Sequence, residues 1–294
     1  MITETLPTIA VVLACYNRRA LTLRCLASIE SAGSDRARLV VYLFDDASSD
    51  GTSDAVRENF PSTNIMAGDG EQFWCGGMRQ AMAAAEAAGY DYLLWLNDDV
   101  ELAPDFLDIL LNSHAEALQS HGPGPHVIVG PVVDPVSREI TYSGFRRTSR
   151  VHPAKLERVA PSGTLQQCDT MNGNCVLFPA SIVSKVGEID RAYSQQIGDA
   201  DYGYRCIEEG AMLWVARRWV GSCVSNNRRL RWSNPSLTFG ERLRILNTPH
   251  GLPIRPWLHF MWRFGGPLGA ALLTLSYAKW FAQSLLPKKG GEAS

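Results

Sequence analysis

The chain lacks the marks of several large protein classes. Its seven cysteines (Cys15, Cys25, Cys75, Cys168, Cys175, Cys206 and Cys223) form no CxxC pair and no zinc spacing with histidine. An odd count spread this way excludes a small disulfide-framed or zinc-stapled scaffold and fits a reducing cytosol. No GxGxxG follows the first apolar run, and neither GxxxxGKS, GxxxxGKT nor HExxH occurs. Dinucleotide-binding oxidoreductases, P-loop NTPases and zinc proteases therefore lack their defining geometry. The six histidines are scattered, and a lone one such as His259 reads as structural. There is no internal repeat and no low-complexity block. The opening MITETLPTIAVVLACYNRR has Glu4 where an export signal carries positive charge, and its apolar stretch ends in Tyr16-Asn17-Arg18. No export signal is expected, and a cytoplasmic location follows as an expectation.

What is present is an ordinary globular composition over 294 residues, 46% hydrophobic and 20% charged. That is enough apolar mass for one large core with an appendage. The formal net charge of -2 conceals a division along the chain. From Arg217 to Ser294 there are 12 Lys and Arg against 2 Asp and Glu, which leaves 16 bases and 28 acids before it. A basic tail of this kind suits an anionic partner, membrane lipid or nucleic acid, or else pairs with the acidic region of its own chain.

The first half alternates strand and helix. TIAVVLAC, LVVYLF and YLLWL are continuous apolar runs of buried-strand character. Between them come the helical pattern of Leu21, Leu23, Leu26 and Ile29, a helix after DDASSDGT capped by Ser49, Asp50 or Thr52, and the helix-forming stretch 78–88 ended by Gly89. Pro104 opens the next helix. Strands alternating with helices imply an α/β fold with a mostly parallel sheet flanked by helices. Further on, VIVGPVV and NGNCVLFP read as strands, ASIVSKVG and IGDADYGYRCIEEG as helices, and residues 137–161, rich in Arg, Ser and Pro, as a variable connection.

In such sheets ligands bind beyond the carboxyl ends of the strands, and Tyr16-Asn17-Arg18, Asp45-Asp46 and Asn97-Asp98-Asp99 all fall there. Adjacent Asp98 and Asp99 at the end of a buried strand need a cation. A hard divalent ion held by one or two carboxylates, with water and phosphate oxygens completing its shell, fits them; acids stabilising the next helix dipole are the alternative. Asp45 and Asp46 suit turn and cap hydrogen bonds, or acceptance of the imide N–H of a uracil or thymine base. Asp199 and Asp201, two residues apart, cannot share one helix face. One is placed to act as a general base, and the other to cap the helix or pair with Arg205.

PTIAVVLACYNR, FDDASSDGT, YDYLLWLNDDV, NGNCVLFPASIVSKVGEID and IGDADYGYRC, in this order over residues 7–225, resemble the motifs of bacterial family-2 glycosyltransferases of the GT-A fold, particularly the rhamnosyltransferase-like ones. The resemblance implies that Ala14, Tyr16 and Arg18 lie against the nucleotide and that Asp45 contacts its base. It places Asp98 on the donor and Asp99, the last acid of the DxD motif, on Mg²⁺ or Mn²⁺ and the diphosphate. Gly76, Gly77 and Arg79 match a donor-side Gly-rich turn and arginine, Asp199 the catalytic base, and Asp201 an acceptor-site or structural acid. Two positions depart from the pattern: Asn97 replaces the first acid of DxD, which leaves the metal mainly on Asp99, and Cys15 replaces the usual threonine before Tyr16.

The implied activity is inverting, metal-dependent transfer of a sugar from a UDP- or dTDP-linked donor to a hydroxyl of a glycan or lipid-linked saccharide. A sugar-phosphate nucleotidyltransferase and an inactive carbohydrate-binding protein are the competing readings. The former would show a Gly-rich loop after the first strand, where ACYNRRA has no glycine. Residues 1–225 then form the catalytic domain and 226–294 a basic, aromatic-rich helical extension. Between Leu252 and Leu286 the extension sets Trp257, Phe260, Trp262, Phe264, Trp280 and Phe281 among Arg255, Arg263 and Lys279, with Lys288-Lys289 following. Gly265-Gly266-Pro267, Lys279 and Gln283 argue against a spanning helix. An amphipathic helix at a membrane surface is expected instead, or packing on the protein or in a homodimer; nucleic acid is not expected as a partner.

Overall fold

The computed structural model describes residues 6–32, 35–224 and 237–285. The chain divides into two compact units, one of Met1–Arg146 with Glu157–Asn226 and the other of Arg147–Leu156 with Asn227–Ser294. The boundary expected at residue 225 and the lysines at 288 and 289 lie outside the described residues.

In the first unit, β1 (Thr8–Cys15), α1 (Arg19–Ser31), β2 (Arg38–Asp45), α2 (Thr52–Asn59), β3 (Asn64–Ala67), α3 (Phe73–Ala88) and β4 (Tyr92–Leu96) form successive strand-helix units. Then follow β5 (Glu101–Leu102), α4 (Phe106–His121), β6 (His126–Val129), β7 (Val132–Val133), β8 (Ile140–Tyr142), β9 (Gly144–Arg147), β10 (Leu156–Arg158), β11 (Gln166–Cys168) and β12 (Thr170–Met171). β13 (Cys175–Pro179), α5 (Ala180–Val186), α6 (Gly198–Glu208), β14 (Met212–Val215) and β15 (Gly221–Ser222) complete it.

The main sheet has eight strands in the order β11-β14-β6-β13-β4-β1-β2-β3. Two small sheets, β10-β9-β12 and β5-β15-β7-β8, accompany it. β1, β2, β3 and β4 run parallel, and the buried apolar runs of β1 and β4 fit a sheet covered on both faces. β13 enters antiparallel between β4 and β6. Its register, Cys175 opposite Leu96, delivers Asn172-Gly173-Asn174 to the edge where β4 ends. The polar ends of β1, β2 and β4 and the turn before β13 thus meet on one rim.

Several expectations change. The 137–161 segment contains β8, β9 and β10 rather than connection alone. α3 starts at Phe73 rather than 78, so Gly76 and Gly77 lie buried inside a helix instead of forming a turn. α4 starts at Phe106 behind Asp105, two residues after Pro104. Gly51, in the left-handed region at φ 77, is the cap of α2, while Asp50 accepts from the backbone N–H of Thr52. Two arginines at the start of the basic region, both within the first unit, pair with acids of that unit: Arg217 bonds Glu116 at 2.6 Å, and Arg218 pairs with Asp105.

In the second unit, α7 (Phe239–Leu246) begins with a capping box between Thr238 and Glu241. α8 (Ile254–Leu285) is two helical segments joined at Gly266, with φ 65 and ψ -165, where Pro267 removes a backbone donor. Phe239 packs on Trp280 and Phe281, and the Tyr277 hydroxyl donates to the Leu252 carbonyl at 2.7 Å. The 147–156 segment is held at the kink: Arg147 donates to the Phe264 carbonyl at 2.6 Å. A Cβ at Gly265 or Gly269 would come within 2.7 Å of the Val151 carbonyl oxygen, so only glycine allows that approach. Among the described residues no helix is long and apolar enough to cross a membrane.

A close approach also fixes α3 on the sheet. A Cβ at Gly77 would lie 2.8 Å from the Ala14 Cβ and 2.9 Å from the Phe44 ring. Neither neighbour is the free end of a flexible chain. Gly77→Ala should therefore destabilise the protein by about 1–3 kcal/mol, read from urea unfolding midpoints at unchanged m-value.

Candidate active site

The rim is built by loops that clip to one another. After β1, Asn17 adopts φ 51, its backbone N–H donates to the Ser48 hydroxyl at 2.8 Å, and its side-chain oxygen accepts from the Ser49 N–H at 2.7 Å. Asp50 accepts from the Arg19 N–H at 2.9 Å. The loops after β1 and β2 are thereby one body. Asp46 goes further: its carboxylate accepts the backbone N–H groups of Gly70, Gln72 and Phe73 at 2.9, 3.0 and 2.8 Å and sets the entry to α3. Among the described residues five non-glycines have positive φ, and four of them (Asn17, Ala47, Phe73 and Ile197) stand in these loops or at the entry to α6. Backbone strain of about 1–3 kcal/mol at each marks a geometry that the surroundings enforce.

Arg18, Asp98 and Asp99 come together. One guanidinium nitrogen of Arg18 donates to Asp98 Oδ1 at 3.1 Å and to Asp99 Oδ2 at 2.9 Å. The two carboxylate side chains are 5% and 6% exposed, so both charges have left bulk water with a single cation between them. Thr22 donates to the other oxygen of Asp98 at 3.3 Å. Asn97 takes no part in this cluster; its amide oxygen accepts from the Trp74 indole N–H at 2.9 Å. A cavity of about 130 Å³, lined in part by Cys25, Asp99, Val100 and Ser222, lies against the same carboxylate.

The donor set suits a hard divalent ion. Among the described residues no cluster of three His, Cys, Asp or Glu is arranged around a metal position. One or two carboxylates are what a Mg²⁺ or Mn²⁺ needs when phosphate and water complete its shell.

Asp199 sits in the first turn of α6. Its Oδ2 accepts from the Gly173 backbone N–H at 3.1 Å and its Oδ1 from the Ala200 N–H at 2.8 Å. Burial raises its pKa, against the lowering effect of these bonds and of the Asn172 side chain. Trp74 links Asp199 to the β4 end: its ring packs where a Gly173 Cβ would lie, 2.8 Å away, while its N–H reaches Asn97. Arg79 donates to the carbonyls of Asp190 and Tyr193 at 3.3 and 3.2 Å and so holds the loop that leads to α6.

The remaining sequence-predicted residues have other surroundings. Asp45 gives one oxygen to the Ser48 N–H at 2.9 Å and the other to the Ser53 hydroxyl. Tyr16 is exposed and Ala14 partly so. Asp201 is wholly buried; it accepts from Arg205 at 2.7 Å and from the Tyr193 hydroxyl at 3.2 Å, a pairing internal to the fold. Sequence reasoning missed Trp74 and the 172–174 turn, whereas the turn and cap hydrogen bonds expected of Asp46 are present. The NGN run was a visible signal for the turn; nothing marked Trp74.

Burial, opposed by Arg18 and reinforced by Asp99, pushes Asp98 from 3.8 to about 7. The unfolded chain releases this proton at its ordinary value, so between about pH 4 and 7 the folded state binds more protons. Stability contributed at low pH is therefore lost as pH rises, by up to about 1.4 kcal/mol per pH unit from this group. Thermal melts in EDTA across that window should show the decline, and Asp98→Asn should flatten it.

Comparison with curated protein sequences gives no match. Among solved structures, the fold is similar to that of the mannosyltransferase PcManGT from Pyrobaculum calidifontis, solved with GDP-Man and Mn²⁺. The identity is 18%, over 97% of this chain and 78% of that one, with a TM-score of 0.54. It is similar to GalNAc-T7, solved with UDP, GalNAc and Mn²⁺, at 15% identity over 83% of this chain and 49% of that one, TM-score 0.58. It is also similar to TarS 1-349 from S. aureus at 11% identity over 96% of this chain and 76% of that one, TM-score 0.55. At these identities the likeness is one of fold, the GT-A fold. The sequence profile of Glycosyl transferase family 2 matches residues 10–157, just over half of the chain and all of the β1, β2 and β4 rim. With that rim and that fold, the chain belongs to glycosyl transferase family 2.

Proposed function

We propose that this glycosyltransferase moves a hexosyl or deoxyhexosyl group from a UDP- or dTDP-linked donor to a hydroxyl of a glycan or lipid-linked saccharide, with inversion and with a divalent metal. The observation that carries the reading is the pair of buried carboxylates, Asp98 and Asp99, sharing one guanidinium at the end of β4. Solved relatives of the same fold hold Mn²⁺ with GDP-Man or with UDP and GalNAc, which supports a metal and a nucleotide donor here.

In this reading Asp99, seconded by Asp98, holds the metal. When bound, the metal acts as a Lewis acid toward the departing diphosphate. Arg18 adds a second positive charge beside the same oxygens. Ala14 and Tyr16 line the nucleotide. Asp45 is the acceptor for the base imide N–H, exchanging its Ser53 partner for the ligand. Asp199 is the general base: two backbone N–H groups fix its carboxylate, and a raised pKa brings it closer to that of a useful base at neutral pH. A base that takes the acceptor proton on the side opposite the leaving diphosphate gives inversion.

Asp99→Ala should abolish turnover and the metal-dependent part of nucleotide binding. Titration calorimetry with UDP and with dTDP, in Mn²⁺ and in EDTA, measures this; equal affinity in wild type and variant at saturating metal would sink the assignment. Asp199→Asn should keep donor binding and lower the rate of nucleotide-diphosphate release with acceptor by roughly 10²–10⁴-fold. Asp201→Asn should act on stability first, and the reverse order of catalytic damage would move the base to Asp201.

A further inference from the structure

The second unit contains a surface that the glycosyl transfer reading leaves unused. In the segment of α8 before the kink, Ile254, Leu258 and Trp262 are four residues apart and are 41%, 38% and 60% exposed. Arg255, His259 and Arg263 follow the same spacing one position on and are also exposed. Residues at i, i+4 and i+8 form one stripe on a helix, so an outward apolar row runs beside an outward cationic row. The opposite face, with Phe260 and Met261 wholly buried and Trp257 and Phe264 partly so, forms the packing of the unit. The outward row is therefore not required to complete the core.

Charge decides the occupant. Residues 147–156 and 237–285 carry eight Lys and Arg, and Glu241 is their only acid. Glu241 is bonded to Thr238 in the capping box of α7. A second copy would bring another surface of the same net positive charge against this face, a like-charge contact. An anionic bilayer offers the complementary partner. It takes apolar side chains to the acyl boundary, a tryptophan at headgroup depth and arginines among the phosphates. Neither signal alone gives lasting attachment, and this helix carries both.

We propose that the Ile254–Arg263 face of α8 docks on anionic phospholipid bilayers, with Ile254, Leu258 and Trp262 inserted and Arg255 and Arg263 at the headgroups. This attachment does not depend on donor, metal or acceptor.

The test is co-sedimentation of the full-length protein with phosphatidylcholine vesicles, with and without phosphatidylglycerol, over a salt series. Wild type should bind only the phosphatidylglycerol-containing vesicles, and added salt should release it. The double substitution Arg255→Ala and Arg263→Ala should lower partitioning by about fivefold for each arginine removed, whereas Arg255→Lys with Arg263→Lys should retain it. Trp262→Ser should weaken binding at every salt concentration. Circular dichroism and unchanged nucleotide binding establish that each variant is folded. Wild type that stays in solution at low salt would overturn the proposal. So would a dimer in analytical ultracentrifugation that Trp262→Ser dissociates, which makes the face a self-contact, or tighter binding to an oligonucleotide than to vesicles.

Discussion

One guanidinium stands between two carboxylates that the fold has removed from water, and much of the rim is arranged to keep it there. Arg18 reaches Asp98 and Asp99 because the loop after β1 is clipped to the loop after β2, through Asn17 with Ser48 and Ser49 and through Asp50 with Arg19. Those loops start level because β1 and β2 pair in parallel with Cys15 opposite Asp45. The register of a sheet therefore fixes the position of a charge. Burial and the neighbouring Asp99 favour proton uptake by Asp98, and Arg18 opposes it.

The rest of the rim uses the same economy. Asp46, beside Asp45, binds three backbone N–H groups and shapes the start of α3. Asp201, two residues beyond Asp199, is committed to Arg205 and Tyr193 inside the fold. Their neighbours are held as well, Asp45 by Ser48 and Ser53 and Asp199 by the backbone N–H groups of Gly173 and Ala200. Trp74 ties the two halves of the site, since it touches the turn that orients Asp199 and the asparagine that precedes Asp98.

How much of this was legible depends on how local the information is. β1, β2 and β4 were plain because each is an uninterrupted apolar run ending in polar residues, a pattern carried within eight positions. The antiparallel insertion of β13 beside β4 was not, because strand order is set by pairing partners about eighty residues apart. The family resemblance implied a Gly-rich turn at Gly76 and Gly77; what requires Gly77 is the nearness of Ala14 and Phe44, which only the packed sheet creates. The helix spacing of Asp201 and Arg205 foretold their pairing, whereas Arg18, eighty residues from Asp98, had no such local cue.

The stretch from Arg147 to Leu156 looks like an ordinary loop between β9 and β10, yet it belongs to the unit otherwise made of the C-terminal helices. That unit is discontinuous in sequence. The chain crosses between the two units three times, and the C-terminal helices are not a tail hung on a single tether. Cutting the gene after residue 226 would strip Val151 and Arg147 of the glycines and carbonyl they pack against while leaving them in the chain at the end of β9 and beyond it. The extension is thus woven into its domain by the chain path itself. A variant that replaces the C-terminal helices of this chain must replace the ten residues 147–156 with them, since the two segments form one unit.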